Sequence, residues 1–221
     1  MFDALFTTTT EYKKLSHALS GKGACALFGL PASGRAQVYA ALCRQLDKPL
    51  CIVTPGEAEA TRFAADLNTL GIPAAVFPAR DYVLRPIEGT AREYEYRRLA
   101  VLGELVGGRL RAVAVPAEAL TQFTTPKEDF CANTRTLHAG DTLLRDDLLA
   151  ALFGAGYTRR AQVDGPGQFS VRGDIVDIFA PDQKMPVRME FWGDEIDTLH
   201  TFDLTTQRRE DAIDKFYLSP A

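Results

Sequence analysis

Apolar positions along the first half of the chain fall by turns into helical spacing and short strand-like runs, and the second half, after one helix, breaks into short strands whose apolar positions alternate around Phe169–Ile175. Thr8-x-x-Glu11 reads as a capping box opening a helix that carries Tyr12, Leu15 and Leu19. The apolar run Ala24–Phe28 reads as a strand, followed by a Gly-rich turn and a helical pattern from Gln37 to Leu46. A strand Leu50–Thr54, a helix Glu57–Leu70 stopped by Gly71, and a strand Ala74–Phe77 come next. A long helix Thr90–Val106 ends at Gly107-Gly108, and strand Arg111–Val115 is closed by Pro116. Strands alternating with helices of this length predict a parallel, doubly wound α/β sheet over residues 1–125.

From Gln122 to Asn133 the pattern dissolves into polar, Pro-containing sequence, read as the connection to a second domain over residues 126–221. That domain opens with a helix, Arg145–Phe153, stopped by Gly154, and continues as strands Gln168–Val171, Asp174–Phe179, Val187–Phe191 and Ile196–Phe202. Phe169, Val171 and Ile175 alternate with Gln168, Ser170, Arg172 and Asp174, the mark of a half-buried antiparallel sheet. The phase changes at Ile175-Val176, just after Gly173, which predicts a β-bulge there. The whole reads as an α/β domain followed by a small α+β domain.

Composition narrows the function classes. The chain has 221 residues, 46% hydrophobic and 24% charged, with mean hydropathy −0.10, as expected for a water-soluble globular protein. A net charge of −4 and a pI near 5.5 leave no global basic field to collect nucleic-acid phosphates. Cys25, Cys43, Cys51 and Cys131 form no C-x-x-C and have no paired His nearby; three of them sit in apolar patterns, which suits a reducing cytoplasm and speaks against structural zinc. The N-terminus shows no signal peptide and the chain no membrane span.

The turn after the first apolar run is Gly29-Leu30-Pro31-Ala32-Ser33-Gly34-Arg35-Ala36, a phosphate-binding-loop frame without its chemistry. A working loop needs Lys after the second Gly to reach the β- and γ-phosphates and then Ser or Thr to hold Mg²⁺. Arg35 replaces the Lys with a planar fork, Ala36 cannot touch a metal, and Pro31 removes one N–H donor. An ordinary Gly-bearing turn predicts the same inactivity. Gly29, Gly34, Arg35 and Ala36 are therefore read as a degenerate, inactive nucleotide loop.

In the second half, Gly156-Tyr157-Thr158-Arg159, the string Gly167-Gln168-Phe169-Ser170-Val171-Arg172-Gly173-Asp174-Ile175-Val176-Asp177-Ile178-Phe179, the stretch Arg188–Asp197 and Phe202-Asp203 resemble one module. It is the UvrA-interaction domain shared by the excision-repair helicase UvrB and the bacterial transcription-repair coupling factors (Mfd). A weaker resemblance runs through the first half. UvrB has an intact phosphate loop and a long aromatic β-hairpin, whereas here only Pro78–Gly89 separates the neighbouring elements, too little for that hairpin. The resemblance therefore implies the N-terminal part of a coupling factor, with RNA-polymerase-binding and DNA-translocating segments lying downstream; the alternative is a fragment of a UvrB-like ATP-dependent helicase. It further implies a cytoplasmic, monomeric, non-enzymatic fragment with no cofactor, whose partner is UvrA.

Arg159, Arg160 and Arg172 are the candidate UvrA-binding residues; the resemblance matches Arg159 and Arg172 to partner-contacting arginines, while Ser170 stands where UvrB has a further arginine. On the residues alone, cross-strand pairing of Arg172 with Glu190 or Asp174 on a solvated face is the favoured reading, and the resemblance reverses that order. The stretch Arg80–Arg111, with seven Arg, five acids and interleaved Tyr82, Tyr94 and Tyr96, is a weaker candidate for single-stranded DNA and reads better as an ion-paired helix face. His17, His138 and His200 are scattered. Asp174, Asp177, Asp194, Glu195 and Asp197 invite a metal, but Gly193-Asp194-Glu195 reads as a hairpin turn. No catalytic constellation is visible.

Overall fold

The computed structural model describes residues 6–21, 24–46, 48–80 and 91–221, excluding the side chains of 91 and 92. They form two compact units, Met1–Arg80 with Gly107–Gln122, and Asp81–Val106 with Phe123–Ala221. Parallel and antiparallel sheets are both present, so the protein is mixed α/β.

The first unit begins with α1 (Thr10–Ser20) and α2 (Ala32–Gln45). It continues through β1 (Leu50–Thr54), α3 (Glu57–Thr69) and β2 (Ala74–Val76). Helix α4 (Ala91–Val106) belongs to the second unit, and β3 (Ala112–Pro116) returns to the first. The three strands are parallel in the order β1-β3-β2. Ala60, Phe63, Ala64 and Leu67, spaced to one face of α3, bury against Ile52, Ala74, Ala112 and Ala114. Ala36, Ala40 and Cys43 bring α2 into the same cluster.

The helix ends are closed by specific donors. Gly71, at φ 75°, ends α3 in a Schellman motif: Ile72 N donates to Leu67 O at 2.9 Å and Gly71 N to Asn68 O at 3.0 Å. Arg111 donates to Cys43 O (2.6 Å) and Leu46 O (2.5 Å) at the end of α2, and Arg44 donates to Leu70 O (2.5 Å) at the end of α3. Carbonyls that a helix leaves without partners are thereby satisfied by cations that also suit the negative end of the dipole.

Three sequence expectations change here. The helix cap is Thr9, whose hydroxyl accepts from Tyr12 N at 3.2 Å, so Thr8 and Glu11 do not form a capping box. Ala24–Phe28 is not a strand: it takes no ladder in the described sheet and exposes Leu27 and Phe28. Apolar composition alone does not make a strand, because its N–H and C=O groups need ladder partners, and this run pairs with neither open edge of the sheet, β1 or β2. Helix α2 starts at Ala32 rather than Gln37, so Gly34, Arg35 and Ala36 lie in its first turns.

In the second unit the polar connection is itself structured. The short helices α5 (Ala117–Leu120, still in the first unit) and α6 (Lys127–Ala132) flank the boundary, and α6 is announced by Pro126 before it and Glu128 and Asp129 in its first turn. Then come β4 (Arg135–His138), α7 (Arg145–Gly154), β5 (Thr158–Arg159), β6 (Gln168–Arg172), β7 (Ile175–Phe179), β8 (Val187–Trp192), β9 (Glu195–Phe202), β10 (Arg209–Ala212) and β11 (Lys215–Leu218). Six strands form one sheet in the order β10-β9-β8-β7-β6-β5, antiparallel except for β5 with β6, while β11 pairs with β4.

Glycine sets the corners. Helix α7 runs one residue past Phe153 and ends at Gly156 (φ 94°), not by termination at Gly154: Tyr157 N donates to Leu152 O at 3.0 Å and Gly156 N to Phe153 O at 3.1 Å. Arg172 pairs with Ile175 and Trp192 with Glu195, leaving Gly173-Asp174 and Gly193-Asp194 as two-residue turns with φ 62° at each Gly. Positive φ at the first central position alone is the type II′ arrangement, which fits strand twist. The expected bulge at Gly173 is therefore a tight turn. A bulge does occur between Glu190 and Phe191, where Asp197 is the extra residue on β9 and returns Ile196 and Leu199 to the core.

Phe169, Val176, Ile178, Met189 and Leu199 pack with Leu148 and Leu152 of α7 into the main core of this unit. Phe169 is fully buried and meets Phe153 edge-to-face at 5.2 Å. Phe169→Ala should therefore lower unfolding free energy by roughly 3–5 kcal/mol, measured by denaturant titration, whereas a surface change such as Asp211→Ala should stay within about 0.5 kcal/mol.

Candidate functional site

Strand alternation divides the six-stranded sheet into two faces. One faces α7. The other carries Gln168, Ser170 and Arg172 from β6, Ile175, Asp177 and Phe179 from β7, Arg188, Glu190 and Trp192 from β8, and Thr198, His200 and Phe202 from β9. Cross-strand register sets Ser170, Asp177, Arg188 and His200 side by side in a row across four strands.

Asp177 is the centre of this row. It is fully buried, and its carboxylate accepts from Arg188 Nε at 2.7 Å, Arg188 Nη2 at 3.0 Å and Arg172 Nη2 at 2.7 Å. A buried carboxylate is tolerable only when paired and hydrogen-bonded, and two guanidinium groups meet that condition. Arg188 is nearly buried. It donates further to Gln207 O at 3.2 Å and lies over the Phe202 ring at 4.6 Å. Arg172 is different: its side chain is 47% exposed, and one bond to Asp177 leaves most of its five donors open to solvent.

The β9–β10 turn supports the pair from behind. Asp203 Oδ1 accepts from Thr206 N (2.7 Å) and Thr205 N (3.1 Å), and these bonds, chiefly from Thr206, hold its carboxyl below the usual carboxylate range. The turn carries Gln207 at φ 59°, the one non-glycine residue with positive φ among the described residues, and so aims its carbonyl at Arg188. At the ends of the row, Ser170 Oγ and His200 Nδ1 are buried without a hydrogen-bond partner, as is Gln207 Oε1.

The three candidate arginines are not one cluster. Arg159 pairs in register with Phe169, which places it on the opposite alternation from Arg172, at the exposed sheet edge formed by β5. Arg160 is exposed, and its backbone N donates to Phe169 O at 2.8 Å. The surface pairing expected for Arg172 goes elsewhere: Asp174 pairs with Arg145 at 3.4 Å, and Glu190 pairs with Arg209.

The degenerate loop has been absorbed into packing. Ala36 is on the buried face of α2 in the core, Arg35 is exposed and its N–H donates to Pro31 O at 3.1 Å as the first helical bond, and Gly34 lies against the Pro31 ring. Gly29 takes φ 82°. In the Arg-rich stretch, Arg98 is buried and donates to Phe123 O at 3.4 Å, and Arg111 closes α2; Tyr82 lies outside the described residues. Only Cys43 of the four cysteines is buried; the other three are exposed. Among the described residues no cluster of His, Cys, Asp or Glu could hold a metal, and no helix is long and apolar enough to cross a membrane.

Sequence reading weighed Asp177 only as a metal ligand, not as the buried partner of two arginines, and missed Arg188 and Trp192. The signal was present: Ile175–Phe179 is apolar on both alternations, so an Asp inside it has to be paired, and Arg188 is its register partner.

Residues 136–221, the whole of the sheet and its arginine row, match the UvrB interaction domain family. The chain is 38% identical over 192 residues to the transcription-repair-coupling factor of Mycobacterium tuberculosis (strain CDC 1551 / Oshkosh), covering 83% of this chain and 15% of that protein. The chain belongs to the UvrB-homology region of the transcription-repair-coupling factors. It is also similar to the coupling factors of Myxococcus xanthus, 34% over 204 residues (87% of this chain, 17% of that one), and Bacillus subtilis (strain 168), 28% over 197 residues (88% and 17%). This coupling-factor region thus spans 15–17% of the length of these relatives.

Asp177→Ala tests the row directly. It removes the carboxylate but leaves Arg188 buried, so stability should fall by about 3–5 kcal/mol. Asp174→Ala, which cuts only an exposed pair, should change it by less than about 1 kcal/mol in the same denaturant titration.

Proposed function

We propose that this chain is the UvrA-recruiting module of a coupling factor, acting in transcription-coupled excision repair, and that it hydrolyses no ATP. The observation that carries the reading is Arg172, held by buried Asp177 with most of its fork directed to solvent. An arginine fixed in this way meets a partner carboxylate without first losing its rotamer freedom. Arg159 and Arg160 supply further charge at the β5 edge. Contacts with RNA polymerase and DNA belong, in this reading, to other parts of a longer protein. The relatives' name, the match to the UvrB interaction domain and the arginine geometry support it together.

Arg172→Ala should weaken UvrA binding at least about tenfold, because losing one partner of a close interfacial ion pair costs on the order of 2–5 kcal/mol. Its fold should survive, since Arg188 still neutralises Asp177. Arg159→Ala should weaken binding in the same direction. Affinity and thermal midpoint are measured together; if both variants bind UvrA like wild type, the arginines are only surface ion pairs.

For the loop, calorimetry should show no Mg²⁺-dependent ATP binding, and a phosphate-release assay no turnover. Arg35 and Ala36 provide neither the γ-phosphate ammonium nor the metal hydroxyl that such sites rely on. Saturable, Mg²⁺-dependent binding in the micromolar range would revive a UvrB-like reading.

A further inference from the structure

The sheet face that bears Arg172 is graded. At one end Phe179 and Phe202 are buried with Val163. The Asp177–Arg188 pair comes next, and then the face opens to solvent through Arg172, Ile175 and Glu190. At the open end stands Trp192, 82% exposed. A single exposed apolar residue is ordinary on a protein surface, but this one is placed and held. Phe191, its chain neighbour, is buried in the core, Trp192 pairs with Glu195, and the Gly193-Asp194 turn closes the hairpin. Ile175 sits opposite Arg172 on one side and Glu190 on the other, and Trp192 follows Glu190 by two residues on the same face, about 7 Å along the strand.

We infer that Trp192 is an apolar anchor of the same docking surface as Arg172, with the docked UvrA offering an apolar recess for the indole beside the carboxylate that pairs with Arg172. The inference rests on the UvrA reading above. Trp and Arg are the residue types that most often dominate interface energy, and a rigid indole adds area at low entropic cost. Its N–H can donate to a carboxylate or carbonyl at the rim of the recess. Arg145 and Arg209 flank the patch, each the salt-bridge partner of one acid of this chain, whereas Asp177 is held by Arg188 as well as by Arg172, so Arg172 is the cation most available to a partner and Trp192 is the apolar group. An acidic surface with an apolar recess complements that pairing, whereas a second copy docking by the same face would bring one Arg172 towards the other.

Trp192 is the only tryptophan in the chain, which makes the test specific. Incorporated 5-fluorotryptophan gives one ¹⁹F resonance, which should shift and broaden on titration with purified UvrA. Trp192→Ala should weaken UvrA binding at least about tenfold with the thermal midpoint unchanged, and Trp192→Phe should recover part of the loss. If Trp192→Ala binds UvrA like wild type while Arg172→Ala does not, the anchor is wrong and the recruitment reading stands. If the wild-type chain does not bind UvrA at all, both fall. A dimer by sedimentation velocity that Trp192→Ala abolishes would instead assign the patch to self-association and overturn the inference.

Discussion

Asp177 has to be neutralised where it is, and the second unit is organised around that requirement. Its neighbours on the strand, Val176 and Ile178, point into the fully buried core, so the strand cannot shift to bring the carboxylate into water. Slipping the register by one residue would expose those side chains and bury polar ones. Arg188, in register on β8, therefore supplies two hydrogen bonds, and the turn after β9 supplies the carbonyl that occupies another of its donors. The constraint propagates outward from a buried acid to a buried base, and from that base to a strained turn residue and the aspartate that shapes the turn.

The same economy of corner residues runs through both units. Gly71 and Gly156 end helices by the same pair of hydrogen bonds, each followed by an apolar residue, Ile72 or Tyr157, that enters the neighbouring core. At Gly156 a side chain is excluded twice. The backbone has φ 94°, and an added Cβ would collide with Ala221 O, while Ala221 N donates to Ala155 O at 2.8 Å. Tyr157 then reaches the chain's last residues, donating to Ser219 O at 2.7 Å, and its burial raises its pKa well above the usual phenol value. A helix stop, a close backbone approach and an anchored final segment thus depend on three consecutive residues.

Periodicity made the long elements legible because it reports burial directly: α3, α7 and β6 to β9 lie where alternation or helical spacing put them. It failed where burial and pairing part company. Ala24–Phe28 is apolar enough for a strand but has no ladder, and β4, β5, β10 and β11 are too short or too polar to announce themselves, being defined by the strands they join. In the site, Arg172 was visible as an outward cation. Its partner was not, because cross-strand neighbours depend on a turn type that the sequence suggests only through Gly173-Asp174. Reading that glycine as a bulge shifts the register and points Arg172 toward the wrong acids. Trp192 was masked by its own alternation, since an aromatic on the polar phase of a strand looks like core until the opposite face is known to be solvent.

In the recruitment reading proposed above, Arg172 would differ from an ordinary surface cation in its response to a partner. A surface salt bridge between two mobile chains has to be broken before either charge can pair elsewhere, and its loss is nearly neutral. Here the acid does not depend on Arg172, because Arg188 already gives it two hydrogen bonds in the buried row. Arg172 gains orientation from a single bond at 2.7 Å while its side chain stays half exposed. The guanidinium can bridge two acids, one inside the fold and one outside, without leaving either uncompensated. Lysine would not substitute well, since its ammonium lacks the planar fork that reaches two carboxylates in fixed directions. The buried pair thus stabilises the sheet and also fixes the direction in which its exposed arginine points.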